Sequence, residues 1–335
     1  MNDFTLENGQ VLPQLTLAYE TYGRLAPDGR NAILVTHGFT SSQHAAGRYG
    51  PTDGAVGWWD GLIGPGKTID TSRYFVVASN MLGSSYGSTA PATVNPETGR
   101  RYGPEFPDIG LRDIVTAQRR LLDRLGVRHL VAVAGPSFGG YQAFQWAVTF
   151  PDFMSGVVPV VTAAKGSGGP AAVQGLLDRF AADPAWNGGW HYDHGGIPHT
   201  MAALRLDTLR RYGQNEILAA TVREPERREA RLREMAETWA RVFDPNSMVT
   251  LRKAAVRFDV EPDLGKIRAK VLYVLSRTDK LFPPSLAPDL MGKLRGAGVD
   301  ARYFELDTEF GHSASGADWA KWAPALREFL AGLEE

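Results

Sequence analysis

Ser137 is the first residue whose setting suggests chemistry. Residues 134–140 read AGPSFGG and contain the pattern G-x-S-x-G. The apolar run HLVAVA precedes this stretch and the run YQAFQWAVTF follows it, so we predict a strand, a sharp turn and a helix. Such a turn lifts the serine oxygen to the N-terminus of the helix, where backbone N–H groups stabilise a developing negative charge. We therefore predict that Ser137 is a nucleophile.

Two other interpretations of this turn remain open. Ser137 could act only as the N-terminal cap of the following helix. The turn could also bind a phosphate group, although the segment lacks both G-x-G-x-x-G and the lysine of a P-loop. A serine hydroxyl is a weak nucleophile by itself, so the choice depends on whether the chain also supplies a base and an acid.

His312 is the best candidate for the base among the seven histidines. Enzymes with this turn carry their residues in the chain order serine, acid, histidine, so the base comes late. His312 lies in EFGHSASG, between the last predicted strand and the final predicted helix. The other histidines are assigned to loops or to the start of a strand: His37, His44, His129, His191, His194 and His199. The last three share WHYDHGGIPH, whose spacing could suggest a metal site, but no predicted helix aligns them and we predict no metal.

Asp279 is the predicted acid. It lies in SRTDKLFPP, just after a predicted strand, and from there its loop can point back at the loop of His312. An acid in that place would fix the histidine tautomer and stabilise the imidazolium. Asp307 and Asp318, which flank His312, are the alternatives.

Two backbone N–H groups complete the predicted site as an oxyanion hole. One belongs to Phe138, the residue after the nucleophile, and the other to the loop that follows an early strand. That loop reads THGFTSS, and within it we choose Phe39, with Thr40 as its neighbour.

Short, mostly apolar runs are predicted to form the strands that position these residues. They cover residues 15–23, 31–38, 74–80, 129–135, 156–161, 270–276 and 301–306. Helical patterns separate them, such as residues 111–126, which have apolar positions at i, i+3 and i+4 and end in glycine. The alternation predicts an α/β fold with a mostly parallel, doubly wound sheet.

Residues 164–262 interrupt this alternation. The segment opens with AAKGSGGPAA and then becomes helical and charged, as in TVREPERREARLREMAETWARVF. We interpret the charged run as a solvated helix face with i,i+4 ion pairs, part of whose apolar stripe could pack on a second subunit. The predicted organisation is a core of residues 1–163 and 263–335 with a helical lid insertion between them.

Composition excludes several classes of partner. The chain has 335 residues, a net charge of −1 and no basic block, so we expect no nucleic-acid partner. It has no cysteine, which excludes disulfides and a thiolate nucleophile. No apolar run reaches the roughly 18 residues of a membrane span. The start, MNDFTLENGQ, lacks a basic segment followed by an apolar one, so a cytoplasmic protein is expected.

The sequence resembles the homoserine O-acetyltransferase family of α/β-hydrolases over nearly its whole length. The resembling segments are GWWDGLIGPGKTIDTSRYFVVASNMLGSSYGSTAP (57–91), YGPEFPDIGLRDIVTAQRRLLDRLG (102–126), GPSFGGYQAFQWAVTFPD (135–152), TDKLFPP (278–284) and FGH (310–312). The resemblance implies an α/β-hydrolase fold and a triad of Ser137, Asp279 and His312. It also implies a helical lid, whose helices contribute to a homodimer interface.

Three departures from the family bear on the acceptor. The family usually has GHD at the histidine, where the aspartate helps to bind the amino group of an amino-acid acceptor, whereas this chain has Ser313. The lid segment ALRLDTLRRYGQNEIL does not match the arginine and Tyr-Arg-Ser-like segment of the family. Pro136 and Phe138 stand where the transferases tend to have glycine and methionine. The family fold includes an esterase branch that acts on short-chain esters, and the sequence looks closer to that branch.

We predict a serine-dependent carboxylic-ester hydrolase that acts on short-chain, acetate-type esters through an acyl-enzyme. The alternative is an O-acyltransferase that moves an acyl group from acyl-CoA to an alcohol. The two differ only in what attacks the acyl-enzyme, and neither needs a metal or a bound cofactor. A non-catalytic binding protein on the same scaffold is the third hypothesis, which an apparently complete triad disfavours. The expected partners are a small-molecule ester and a second copy of the chain.

Overall fold

The computed structural model describes residues 1–50 and 56–333. The contacts within the chain divide it into two compact units. Unit 1 comprises Met1–Ala18, Met81–Ala117 and Gly166–Phe258, and unit 2 comprises Tyr19–Asn80, Gln118–Lys165 and Asp259–Glu335. Most of the predicted insertion therefore falls in unit 1, together with two segments that the sequence assigned to the core. The function of the insertion as a lid, its boundaries and the homodimer stay predictions.

Strands and helices alternate over residues 75–160 and again over residues 270–317, as the sequence predicts. The strands are β1 (Asn2–Thr5), β2 (Val11–Gln14), β3 (Tyr19–Tyr22), β4 (Ala32–Thr36), β5 (Ile63–Gly64), β6 (Ile69–Asp70), β7 (Phe75–Ser79), β8 (Leu130–Pro136), β9 (Met154–Val160), β10 (Lys270–Ser276) and β11 (Ala301–Leu306). The helices are α1 (Leu111–Arg124), α2 (Phe138–Thr149), α3 (Gly169–Ala181), α4 (Pro198–Arg211), α5 (Gln214–Ala219), α6 (Pro225–Ala240), α7 (Pro245–Arg257), α8 (Ala287–Gly296), α9 (Ala314–Ala317) and α10 (Trp319–Ala331).

Seven strands form the central sheet of unit 2, in the order β11-β10-β9-β8-β4-β7-β3. Neighbouring strands are parallel except β3 and β7, which are antiparallel. The inner strands β4 and β7 are buried at every position, as continuous apolar runs in a parallel sheet should be. The predicted mostly parallel α/β sheet is confirmed.

The core of unit 2 packs the sheet against its helices. Val76 and Val158 from the sheet belong to the same buried cluster as Trp322, Leu326 and Phe329 of α10. This packing fixes the strands whose carboxyl ends carry the candidate site. Because β8, β10 and β11 run in parallel, the residues that follow them emerge at one edge of the sheet.

The predicted strand over 15–23 is only partly correct, since β3 covers its second half alone. In its first half the backbone N–H groups of Thr16 and Ala18 donate to the hydroxyls of Thr89 and Ser88, at 2.9 and 3.1 Å. These side-chain acceptors replace a strand partner. The sequence also missed β1 and β2, a short antiparallel pair.

Unit 1 is mainly helical. Helix α4 packs on α6 around a buried cluster of Leu209, Leu232 and Ala236. The opposite side of α6 is charged and exposed, and there Arg231 pairs with Glu234 at 2.6 Å. This division of the helix agrees with the predicted solvated face. None of the helices among residues 1–50 and 56–333 has the length and apolar character needed to cross a bilayer.

Candidate active site

Ser137 occupies a strained turn between β8 and α2. Its φ is +57° and its ψ is −119°, a combination that non-glycine residues avoid. Hydrogen bonds hold it on both sides: its N–H donates to the Val160 carbonyl at 2.8 Å, and its own carbonyl accepts from Thr162 Oγ1 at 2.8 Å. The serine is half-buried. The turn therefore has the geometry of a nucleophile elbow.

Two glycines beside Ser137 allow the end of β4 to approach this turn. A Cβ atom on Gly135 would lie 2.2 Å from Thr36 Oγ1, and one on Gly139 would lie 2.2 Å from the Thr36 carbonyl oxygen. Thr36 Oγ1 uses the space to donate to the Gly139 carbonyl at 2.8 Å. The outer glycines of G-x-S-x-G are thus required by close backbone packing.

The structure brings Asp279 and His312 together. His312 Nδ1 lies 2.8 Å from Asp279 Oδ2. The second carboxylate oxygen accepts from the N–H of Leu281 at 2.8 Å, which fixes the orientation of the carboxylate. The side chains of Asp279 and His312 are 0% and 5% exposed. With a proton on Nδ1 donated to the acid, Nε2 is the basic nitrogen of a neutral ring.

Thr278 connects the loops of the acid and the histidine. Its hydroxyl donates to the Thr308 carbonyl at 2.9 Å and accepts from the N–H of Gly311 at 3.1 Å. The alternative acids are engaged elsewhere, since Asp307 pairs with Arg277 at 2.6 Å and Asp318 with Lys321 at 2.9 Å. Asp279 is thus the candidate acid that contacts His312.

A chain of aromatic rings connects the start of α2 with His312. The rings of Phe138 and Tyr141 are 5.9 Å apart, and Tyr141 makes an edge contact with Phe282 at 6.0 Å. Phe282 then stacks on His312 at 5.7 Å. The histidine therefore belongs to the same cluster as the helix that Ser137 precedes. Sequence reasoning missed Tyr141 and Phe282, although one lies a turn after Ser137 and the other three residues after Asp279.

The predicted oxyanion loop lies beside the nucleophile. A Cβ atom built on Gly38 would be 3.9 Å from Ser137 Cβ. The rings of Phe39 and Phe138 are 5.7 Å apart. Both residues whose N–H groups were predicted as donors are therefore adjacent to Ser137, and their use as an oxyanion hole is a proposal.

Two buried glutamine side chains connect this loop to the helices α1 and α2 by hydrogen bonds. Gln142 Nε2 donates to the carbonyl oxygens of His37 and Phe138, at 3.1 and 3.3 Å. Gln118 Nε2 donates to Gln142 Oε1 at 2.7 Å, and Trp146 Nε1 donates to Gln118 Oε1 at 2.8 Å. Sequence reasoning missed these glutamines, because a glutamine within a helix gives no signal that it is buried.

The other histidines have separate environments. His44 lies 3.1 Å from Glu20, and His129 contacts Ser155 Oγ at 2.9 Å. In unit 1, His191 Nε2 lies 3.2 Å from Asp244 Oδ1, a pair that the sequence did not suggest. No group of three or more His, Asp or Glu side chains that could hold a metal ion occurs within residues 1–50 and 56–333.

This geometry agrees with what the chain is similar to. A model described as the alpha/beta hydrolase fold matches residues 31–316. The homoserine O-acetyltransferase of Symbiobacterium thermophilum is 40% identical, over 99% of this chain and 93% of its own. The chain belongs to the homoserine O-acetyltransferase-like family of α/β-hydrolases. It is therefore an enzyme of the α/β-hydrolase family.

The similar proteins with solved structures include both an esterase and an acetyltransferase. Esterase E22 has a TM-score of 0.89 and 30% identity, and the match covers 98% of each chain. The homoserine O-acetyltransferase of Bacillus anthracis has a TM-score of 0.86 and 29% identity, with 98% of this chain and 95% of that chain covered. This chain is thus about equally similar to a solved esterase and to a solved acetyltransferase of its family.

Proposed function

We propose that this enzyme transfers a short acyl group from acyl-CoA to an alcohol through an acyl-enzyme on Ser137. The hydrogen bond of 2.8 Å between His312 and Asp279, at the sheet edge that carries the strained Ser137, supports the acyl-enzyme chemistry. The 40% identity to a homoserine O-acetyltransferase over nearly the whole chain supports an alcohol acceptor more than the hydrolysis predicted from the sequence.

The first half-reaction acylates the serine. His312 Nε2 removes the proton from Ser137 Oγ as that oxygen attacks the acyl carbonyl carbon. The N–H groups of Phe39 and Phe138 stabilise the oxyanion of the tetrahedral intermediate. When the intermediate collapses, the bond to the leaving group breaks and His312 returns the proton to it. Asp279 stays ionised throughout and stabilises the imidazolium.

The second half-reaction reverses these proton transfers. His312 removes a proton from the hydroxyl of the acceptor, whose oxygen attacks the acyl carbon. The bond to Ser137 Oγ then breaks, and Ser137 recovers its proton from His312. With an alcohol the product is an ester, and with water it is the free acid.

Hydrolysis of short-chain esters is the second candidate, and Ser313 favours it. This residue lies in the turn Gly311–Ser313 beside His312. The resemblance implies that a carboxylate at this position binds the ammonium group of an amino-acid acceptor. A neutral hydroxyl cannot form that charge-assisted hydrogen bond, so the amino acid would compete less well with water.

One experiment separates the two candidates. The enzyme is incubated with acetyl-CoA, with and without L-homoserine, and separately with p-nitrophenyl acetate. The Ser137→Ala variant is measured in parallel as the control. A release of CoA that requires homoserine supports transfer. An equal rate of CoA release without homoserine supports hydrolysis. Unchanged turnover of the ester by Ser137→Ala would refute both candidates.

Ser313→Asp tests the acceptor directly. A carboxylate at this position provides a partner for the ammonium group, so we expect the ratio of homoserine acetylation to hydrolysis to rise about 10-fold, as one charge-assisted hydrogen bond predicts. Ser313→Asn is the matched control, because it has the same shape without the charge. The two products are quantified by mass spectrometry, and an equal ratio in both variants would contradict the expectation.

A further inference from the structure

His37 is a buried histidine that the proposed mechanism does not use. It follows β4 and is 0% exposed. Its Nδ1 lies 2.8 Å from the carbonyl oxygen of Gly38, and its Nε2 lies 2.8 Å from the side-chain oxygen of Asn80. Both contacts lie within unit 2, next to the loop that packs against Ser137.

The contact with Gly38 fixes the tautomer of this ring. A carbonyl oxygen only accepts, so Nδ1 must carry the proton. Burial lowers the pKa of His37, which keeps the ring neutral near pH 7. Nε2 of the neutral ring is then an acceptor, so we assign the Asn80 amide with its oxygen and nitrogen exchanged, which places the nitrogen 2.8 Å from Nε2 as the donor. The oxygen and nitrogen of an amide are distinguished by such a network.

The carbonyl that His37 binds belongs to the same peptide unit as the N–H of Phe39. A peptide unit is planar, so a hydrogen bond that holds its oxygen also fixes the direction of its N–H. Hydrogen bonds in series also polarise one another, which makes that N–H a stronger donor. The preceding peptide is held as well, since the His37 carbonyl accepts from Gln142.

We infer that His37 is a positioning residue of the oxyanion hole. Its Nδ1–H holds the Gly38–Phe39 peptide so that the Phe39 N–H points at the oxyanion of the Ser137 adduct. This inference rests on the proposed function, but not on whether water or an alcohol receives the acyl group. Because His37 is fully buried, its effect on the transition state passes through this peptide.

Two substitutions of His37 distinguish the roles of its two ring nitrogens. In His37→Asn the side-chain nitrogen can occupy the place of Nδ1, so the bond to Gly38 is retained. In His37→Gln the amide extends to the place of Nε2 and toward Asn80, so the bond to Gly38 is lost. We expect kcat for p-nitrophenyl acetate to stay within about 3-fold of the wild type for His37→Asn and to fall roughly 30-fold for His37→Gln, less than the loss of a donor itself.

Two further readouts distinguish positioning from a merely structural role. KM should change less than about 3-fold in both variants, because the oxyanion forms only in the transition state. The inhibition constant of an alkylboronic acid, which forms a tetrahedral adduct on Ser137, should rise with the loss in kcat. His37→Phe, which also lacks a donor, is measured beside His37→Gln. If one of these two variants does not fold, the other is still compared with His37→Asn.

Equal kcat in His37→Asn and in the variants without a donor would overturn the inference, as would a loss confined to KM. Thermal unfolding of each variant is measured to confirm that it is folded. Turnover of p-nitrophenyl acetate by Ser137→Ala tests the proposed function separately. Unchanged turnover by that variant refutes the proposed function and the oxyanion hole with it, whereas turnover that is lost in Ser137→Ala but equal in the His37 variants refutes the role of His37 alone.

Discussion

Each compact unit contains a buried histidine–aspartate pair, and the two pairs differ in what surrounds them. In unit 2, His312 Nδ1 bonds to Asp279 at 2.8 Å. In unit 1, His191 Nε2 lies 3.2 Å from Asp244 Oδ1. The side chains of this second pair are 7% and 8% exposed, so burial and residue type are similar in the two pairs.

The pair in unit 1 lies at the start of α7 and in a cluster of aromatic rings. The second carboxylate oxygen of Asp244 accepts from the N–H of Ser247 at 2.8 Å and caps α7. The His191 ring stacks on Trp186 at 5.6 Å and contacts Tyr192 at 4.1 Å. These contacts use the pair to fix one helix start and one loop.

The pair in unit 2 follows two adjacent parallel strands. Asp279 comes after β10 and His312 after β11, and β8 delivers Ser137 to the same edge of the sheet. A strained serine stands at that edge, held by β9 and α2. The comparison teaches that strand order, rather than the presence of a His–Asp contact, distinguishes the candidate catalytic pair.

Replacing each of the two histidines tests this comparison, and it gives the largest expected difference in kcat. We expect His312→Ala to lower kcat for p-nitrophenyl acetate by roughly 10⁴-fold or more, because the base of a triad is lost. His191→Ala is the matched variant and should keep kcat within about 3-fold of the wild type, since surface and packing changes away from a site act mainly on stability. A loss of kcat in the folded His191→Ala variant as large as in His312→Ala would break the comparison.

Replacing the two aspartates gives the next largest effect. Asp279→Asn should lower kcat about 10³- to 10⁴-fold, because an amide no longer selects the correct histidine tautomer. Asp244→Asn should change little, since asparagine also caps a helix, whereas Asp244→Ala should destabilise the protein by about 1 kcal/mol with kcat unchanged. Urea unfolding and steady-state kinetics on the same preparations provide the check. Full activity of Asp279→Asn would show that this acid is not needed.

Much of the fold could be predicted from the sequence because its signals are local. The strands predicted at 270–276 and 301–306 have the observed bounds, since each is a short apolar run between turns. Ser137, Asp279 and His312 follow such runs, so their common edge could be inferred from parallel order alone. The sequence did not reveal His191 and Asp244 as a pair, because they are far apart in the chain and neither ends a strand.

Contacts that depend on side-chain packing could not be predicted. The stacking of Phe282 on His312 and the hydrogen bond between Gln118 and Gln142 are set by how helices lie on the sheet. The burial of His37 is a similar case, since THGFT indicates a loop but not that its histidine faces Asn80. Supporting residues of this kind follow from tertiary packing, whereas the reacting residues follow from turns and strand ends.

The smallest predicted effect is on how the free energy of unfolding changes with pH. It extends the comparison of the two His–Asp pairs to His37, a buried histidine whose hydrogen-bond partners are uncharged. Burial lowers the pKa of His37 in the folded protein, so the unfolded chain binds its proton more readily. The unfolded state then gains protons as the pH falls through about 6.5, the ordinary histidine value, and the free energy of unfolding decreases. His37→Asn has no such group, so its free energy of unfolding should fall less than that of the wild type between about pH 8 and pH 5.5. Parallel urea titrations at each pH measure both slopes, and identical slopes would show that His37 takes up its proton equally in the folded and unfolded states.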